Sequence, residues 1–384
     1  MASFSAEKKT LRIVISGYFG FHNLGDEAIL EAVCEQLWAI ESDLEVIALG
    51  QAVKSQHDPR LHYVSRVSPP LIWQALRRAD LLISGGGSLL QDVTGPASVP
   101  YYLGILELAR LAGVPRMVFA QGVGPLKSFW SRRMVGGVLS RVDSITVRDP
   151  ASRDLLIECG LRSKEISLTV DPVLASKPQA ADLTDALWEQ WGLNRVRPVV
   201  AVSIRPWPAW LEKQLKAFSA VLAQCARAWD AQILLLPFHK PGDDWLLEEL
   251  SHCLAARPEG QKPVVVMAKQ ALTAKEMLGV LGRVDLLIGM RLHALIMAAA
   301  ASTPAIGIIY DPKIEAFARL ANLPTIPSVE SLADSAELQS ALHQAWARRG
   351  ALRSHLQSLR AAWTEAAMKN SQLAVDIARR SRAT

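Results

Sequence analysis

Short apolar runs alternate with amphipathic stretches of helical period through the first half of the chain, at Leu11 to Ser16, Glu45 to Leu49, Leu81 to Ser84, Arg116 to Ala120 and Ser144 to Val147. That rhythm predicts βαβ units and a parallel sheet. It pauses at Asp171-Pro172 and the polar segment from Lys177 to Thr184, the best candidate for an interdomain hinge. It then restarts with Val199 to Ile204, Gln232 to Pro237, Val264 to Met267, Val284 to Ile288 and Ala305 to Ile309. Two similar α/β domains facing a cleft are the economical architecture, with boundaries at 1–175 and 196–330 and a linker at 176–195. From 331 to 384 the pattern is helical, first Ala333 to Arg348 and then Ala351 to about Arg380, with Gly350 as the break. Leu352, Leu356, Leu359, Trp363, Ala367 and Leu373 keep three-to-four spacing, so the last helix has one apolar face.

Composition narrows the class. A chain of 384 residues exceeds the usual single core, and 50% hydrophobic with 21% charged residues is globular. The net charge of +5 is uneven: residues 341–384 hold eight Lys or Arg against Glu365 and Asp376, so the basic character belongs to the tail. A solvated basic face is the default reading of that tail, and contact with anionic lipid headgroups is the alternative. Cys34, Cys159, Cys225 and Cys253 are scattered without ligand spacing, which points to reduced thiols in a cytoplasmic protein and to neither zinc nor disulfides. Residues 1–10 carry two Lys and no apolar core, so no signal peptide is expected, and no apolar run approaches the roughly 20 residues that cross a bilayer. The expectation is a soluble protein, at most attached to the inner membrane surface, with no nucleic-acid partner.

Chemistry-bearing residues gather where strands end. In Gly289-Met290-Arg291-Leu292-His293, Arg291 and His293 fall in a strand-to-helix turn, the ligand edge of an open parallel sheet. Arg suits a carboxylate or phosphate, and His carries a proton near neutral pH; the bland alternative is an ordinary helix start. Tyr310-Asp311-Pro312-Lys313 would bring Lys313 to the same edge one strand further on. The glycine-bearing turns Gly17 to Gly25, Ser84-Gly85-Gly86-Gly87-Ser88 and Gln121-Gly122-Val123-Gly124 imply close backbone approach by a ligand, although a tight turn explains any one of them. The first of these leads to a helix expected near Ala28, and its Asp26 and Glu27 either accept hydrogen bonds from sugar hydroxyls or cap that helix. It is neither a Walker nor a dinucleotide motif. Arg148 follows the last strand of the first half and would face Arg291 and His293 across the cleft. Arg205-Pro206-Trp207 ends the first strand of the second half, where Trp207 either stacks on a sugar or anchors packing. The chain has no Asp-x-Asp pair, so no divalent metal is expected.

The segments GYFGFHNLGDEAIL, SGGGSLLQD, QGVGPL, VRD, SIRPW, GMRLHAL and YDPK, in this order over residues 11 to about 320, resemble polysaccharide pyruvyl transferases, within them the group that ketalates cell-wall polymers for surface-layer anchoring. The resemblance implies two Rossmann-like domains of the GT-B glycosyltransferase architecture and phosphoenolpyruvate as donor substrate, with no further cofactor. It implies that Arg148, Arg291, Lys313 and Arg205 hold phosphoenolpyruvate and that His293 protonates C3, with Asp26 or Glu27 as base. Asn23, Gly25, Ser84, Gly85, Gly86, Gly87, Gln121 and Trp207 would face a glycan acceptor, polymeric or lipid-linked. Two other readings stand beside it. A nucleotide-sugar glycosyltransferase would want an acidic residue for ribose in the second domain, where this chain offers cations. A non-catalytic binding protein would have no need to retain His293 with Arg148 and Lys313.

Overall fold

Strands buried on both faces read as continuous apolar runs, because helices cover both sides of a parallel sheet. The computed structural model describes residues 10–52, 58–93, 95, 97–194, 196–258 and 262–383; residues 1–9, on which the expectation about a signal peptide rests, lie outside the described residues. The chain forms two compact units, Met1–Phe21 with Ile29–Pro172 and Glu365–Thr384, and His22–Ala28 with Val173–Thr364.

The first unit holds β1 (Leu11–Phe19), β2 (Leu44–Gly50), β3 (Leu61–Val64), β4 (Leu81–Gly85), β5 (Arg116–Gln121), β6 (Ser144–Val147) and β7 (Ile166–Leu168). Their order is β3-β2-β1-β4-β5-β6-β7, all pairs parallel. The second unit holds β8 (Val199–Ser203), β9 (Gln232–Leu235), β10 (Val265–Met267), β11 (Leu286–Gly289), β12 (Ala305–Ile308) and β13 (Thr325–Ile326) in the parallel order β10-β9-β8-β11-β12-β13. Each sheet therefore reverses direction once, between β1 and β4 and between β8 and β11. At such a switch point adjacent loops diverge to opposite faces and leave a crevice at the carboxyl ends of the strands.

Ten strands coincide with the expected apolar runs to within three residues. The other three, β3, β7 and β13, lie at sheet edges. They are short and half-exposed, so they carry no sustained apolar pattern to read. Val14, Leu82, Val118 and Leu106 belong to the first core, and Val200, Ile233, Leu286, Phe218 and Leu222 to the second.

The C-terminal pattern needs two corrections. The break between the last helices falls at Arg348, and Gly350 lies inside the first turn of the 35-residue helix Arg349–Ala383. A glycine costs little there, because the first turn's amides lack intrahelical partners in any case. The basic residues of the tail are also not simply solvated. Arg379 donates to Glu41 at 2.7 Å and Arg382 to Asp80 at 2.9 Å, while Ser371 Oγ donates to Gln36 at 3.2 Å. The end of the chain is thus laced to the first unit by polar contacts as well as by Ala367, Ala374, Val375 and Ala378, all buried. Because the Glu41 side chain is nearly buried, Arg379→Gln should lower stability by about 1–2 kcal/mol, read as a reduced midpoint in chemical unfolding.

Candidate functional site

In the second unit the switch point carries the cations. β11 runs into the helix Leu292–Ala300 through Met290 and Arg291, with Arg291 as the extended N-cap residue. His293 lies in the first helical turn. The helix has small side chains, Ala294 and Ala298 to Ala300 among them, which lets it sit close to the sheet. Met290 N donates to Ser203 O at 2.8 Å, which ties this turn to the end of β8.

Asp243, wholly buried, accepts from the Arg291 guanidinium. Its other oxygen accepts from Phe238 N at 3.0 Å and His239 N at 2.9 Å. A carboxylate removed from water needs hydrogen-bond donors to replace it, and here a guanidinium and two amides supply them. The segment folded around Asp243 in turn binds the turn after β1. Lys240 N donates to His22 O at 3.2 Å and Leu24 N to Phe238 O at 2.8 Å. Gly25 then lies directly against the His293 imidazole, where a Cβ would collide with the ring.

The helix expected from near Ala28 begins at Leu24, so Gly25, Asp26 and Glu27 form its first turn rather than a loop. The glycine hides the helix start, since Gly is a poor helix former; contact with His293 explains it. Asn23 O accepts from the amides of Asp26 and Glu27 at 3.1 Å each, and Asn23 Nδ2 donates to Asp26 at 2.5 Å. Both carboxylates are buried.

At the end of β8, Arg205 Nη1 donates to the Tyr310 hydroxyl at 3.1 Å, and Trp207 meets the Tyr310 ring edge-on at 4.8 Å. Trp207 is thus a half-exposed side chain braced by an aromatic neighbour. Asp311 caps the helix Pro312–Leu320 by accepting from Lys313 N at 2.9 Å, which places Lys313 in its first turn. Among the described residues, Arg291 Nε, Arg205 Nε and Ser203 Oγ are buried without a hydrogen-bond partner. Buried donors are almost always satisfied, so three at one sheet edge mark a place for an acceptor.

In the first unit Arg148 is nearly buried and donates to Asp171 at 2.7 Å and to Ser88 Oγ at 3.1 Å. Its guanidinium lies on Gly122, where a Cβ would approach to 2.7 Å. Gly86 and Gly87 take φ of +86° and +81°, a conformation open to glycine and strained for other residues. Ser16 and Ser84 pair across β1 and β4. Their hydroxyls, and both amide atoms of the wholly buried Gln121, have no partner among the described residues. Of the residues named from sequence, His293, Arg291, Lys313, Arg205, Trp207, Asn23, Gly25, Asp26 and Glu27 belong to the second unit. Arg148, Ser84, Gly85, Gly86, Gly87 and Gln121 belong to the first. Sequence reasoning missed Asp243, His239 and the bracing role of Tyr310. Their only sequence signal was that His239 and Asp243 follow a strand end. Among the described residues no group of three or more His, Cys, Asp or Glu is placed to hold a metal ion.

Residues 23–312 match the family model of polysaccharide pyruvyl transferases. The chain belongs to that family. The amylovoran biosynthesis protein AmsJ of Erwinia amylovora is 24% identical over 272 residues, covering 67% of this chain and 64% of that protein. The chain thus spans just under two thirds of that relative's length. HepE of Anabaena, solved with UDP and glucose, superimposes with a TM-score of 0.62 at 14% identity over 95% of this chain and 98% of its own. The UDP-GlcNAc 2-epimerase of Methanocaldococcus jannaschii gives 0.59 at 11% identity over 85% and 92%. These likenesses establish the GT-B type of fold, and the family match sets the chain among the polysaccharide pyruvyl transferases.

Two outcomes follow from the contacts around Asp243 and Gly25. Gly25→Ala should displace the imidazole and lower kcat about 100-fold, the usual scale for a misplacement near 1 Å, with unchanged far-UV circular dichroism. Asp243→Asn should destabilise the second unit by roughly 3–5 kcal/mol, since it strips a nearly buried guanidinium of its counter-charge, as urea unfolding would show.

Proposed function

We propose that the protein transfers pyruvate from phosphoenolpyruvate to two hydroxyls of one sugar in a surface or cell-wall polysaccharide, or in its lipid-linked precursor, as a cyclic ketal. The observation that carries this reading is the set of unpartnered buried donors on Arg291, Arg205 and Ser203 at the switch point of the second unit. Phosphoenolpyruvate presents a carboxylate and a phosphate, and guanidinium donors suit both. Lys313 adds charge for the departing phosphate.

The reaction balances without a redox partner. C3 of the enol gains a proton from His293 while one sugar hydroxyl adds to C2. The C2–O bond to phosphate breaks, and the second hydroxyl closes the ring on C2. Of the two hydroxyl protons, one ends on C3 through His293 and the other on phosphate. Asp26 or Glu27 receives the hydroxyl proton first, and cationic donors at the leaving oxygens stabilise the charge that develops there. In the second unit, Asn23, Gly25 and Trp207 are the groups assigned to the acceptor.

The test is phosphate release from phosphoenolpyruvate with a panel of glycan acceptors, with the product weighed by mass spectrometry. A pyruvyl ketal is expected; turnover of UDP-glucose with none from phosphoenolpyruvate would establish the nucleotide-sugar alternative instead. His293→Ala should abolish transfer while phosphoenolpyruvate affinity stays within about tenfold. Arg291→Ala, Arg205→Ala and Lys313→Ala should each weaken that affinity by roughly 1.5–3 kcal/mol in isothermal titration. Unchanged binding in all three would place the anion elsewhere.

A further inference from the structure

The first unit exposes an aromatic pair that neither its core nor the proposed chemistry uses. The helix Phe129–Leu139 turns Ser131, Val135 and Leu139 inward. Its outward stripe is Phe129, Trp130, Arg133, Met134 and Gly137. Phe129 and Trp130 are each 69% exposed, with rings edge to face at 5.8 Å. Adjacent aromatic side chains held in water are unfavourable, and on a soluble surface they mark a binding site.

The pair is presented by a rigid loop. Asp92 accepts from Lys127 N at 2.9 Å and Ser128 N at 2.8 Å, and its own amide donates to Pro125 O at 3.1 Å. Burial pushes the Asp92 carboxyl up, but these amides and the Ser131 hydroxyl outweigh it and hold the group below the usual carboxylate range. The clamp therefore remains charged at neutral pH. Arg132 Nε donates to Leu126 O at 2.8 Å and Nη1 to Glu158 at 2.8 Å, which fixes the first helical turn.

The outward stripe itself carries only positive charge. The helix sequence contains no acid. Of the neighbouring acids, Asp92 is engaged by amides and Glu158 by Arg132, while Lys127 and Arg133 are exposed. Trp and Phe flanked by cations suit the boundary of an anionic bilayer, where rings enter the headgroup layer and cations meet lipid phosphates. A helix of 11 residues is far too short to span and would lie in the plane of the interface.

We propose that this stripe seats the first unit on an anionic lipid bilayer, with Phe129 and Trp130 entering the headgroup boundary and Lys127 and Arg133 contacting lipid phosphates. The C-terminal tail is the weaker anchor, because Arg379 and Arg382 are already paired with carboxylates.

Co-sedimentation of the full chain with vesicles of phosphatidylcholine containing phosphatidylglycerol, and with phosphatidylcholine alone, tests this. The wild type should partition to the anionic vesicles and be released by high salt. Phe129→Ser/Trp130→Ser should reduce partition about tenfold or more, the scale of withdrawing two rings from the boundary. Lys127→Gln and Arg133→Gln should each cost about fivefold on anionic vesicles, equivalent to ~1 kcal/mol per cation. Both sets are surface changes, so melting temperature and phosphate release with a soluble acceptor should match the wild type. No wild-type affinity for anionic vesicles, or undiminished partition of the double aromatic variant, would overturn the proposal. A double variant that keeps its vesicle binding but changes mass in light scattering would instead assign the stripe to contact between copies of the chain.

Discussion

The carboxylate of Asp243 is the constraint on which the second unit's site depends. An ionised group wholly out of water is tolerated only when donors surround it, and here they come from two places in the sequence. The amides of Phe238 and His239 fold the segment after β9 into a fixed turn, and the guanidinium of Arg291 is drawn in from the end of β11. The turn then offers its outer edge to His22 and Leu24, which brings Gly25 onto His293. One buried charge thus orients the cation, the imidazole and the acidic first turn together.

The first unit repeats the device with different parts. Arg148, at the end of β6, is paired with buried Asp171 and lies on Gly122. In both units a guanidinium at the carboxyl edge of a parallel sheet is held by a buried aspartate, which neutralises its charge yet leaves other N–H donors unspent. Arg carries five donors in a fixed fork, so anchoring one edge aims the other.

The remaining basic residues divide by partner. Those of the last helix serve structure where they meet Glu41 and Asp80, and the helix donates its residues to both units in turn. Lys127 and Arg133 face outward beside two exposed rings. Net charge concentrated in the tail was a true feature of the composition, but the surface that combines charge with exposed apolar area lies elsewhere.

Local pattern was enough for the fold class, for ten strands and for the motifs at their ends, because a strand buried on both faces must be apolar along its whole length and a tight approach to backbone demands glycine. It was also enough to set Arg205, Arg291, His293 and Lys313 just beyond strand ends, because the apolar runs before them are legible before any contact is known. The edge strands β3, β7 and β13 escaped because half-exposed strands of two to four residues leave no period to detect. The helix start at Leu24 escaped because the glycine that obscures it answers to an imidazole far along the chain. Asp243 gave no signal in a polar loop, since its role depends on Arg291, 48 positions away. Periodicity encodes which residues are buried within one element, whereas the pairing of charges depends on which strand ends the sheet order makes neighbours, and only the tertiary structure decides that.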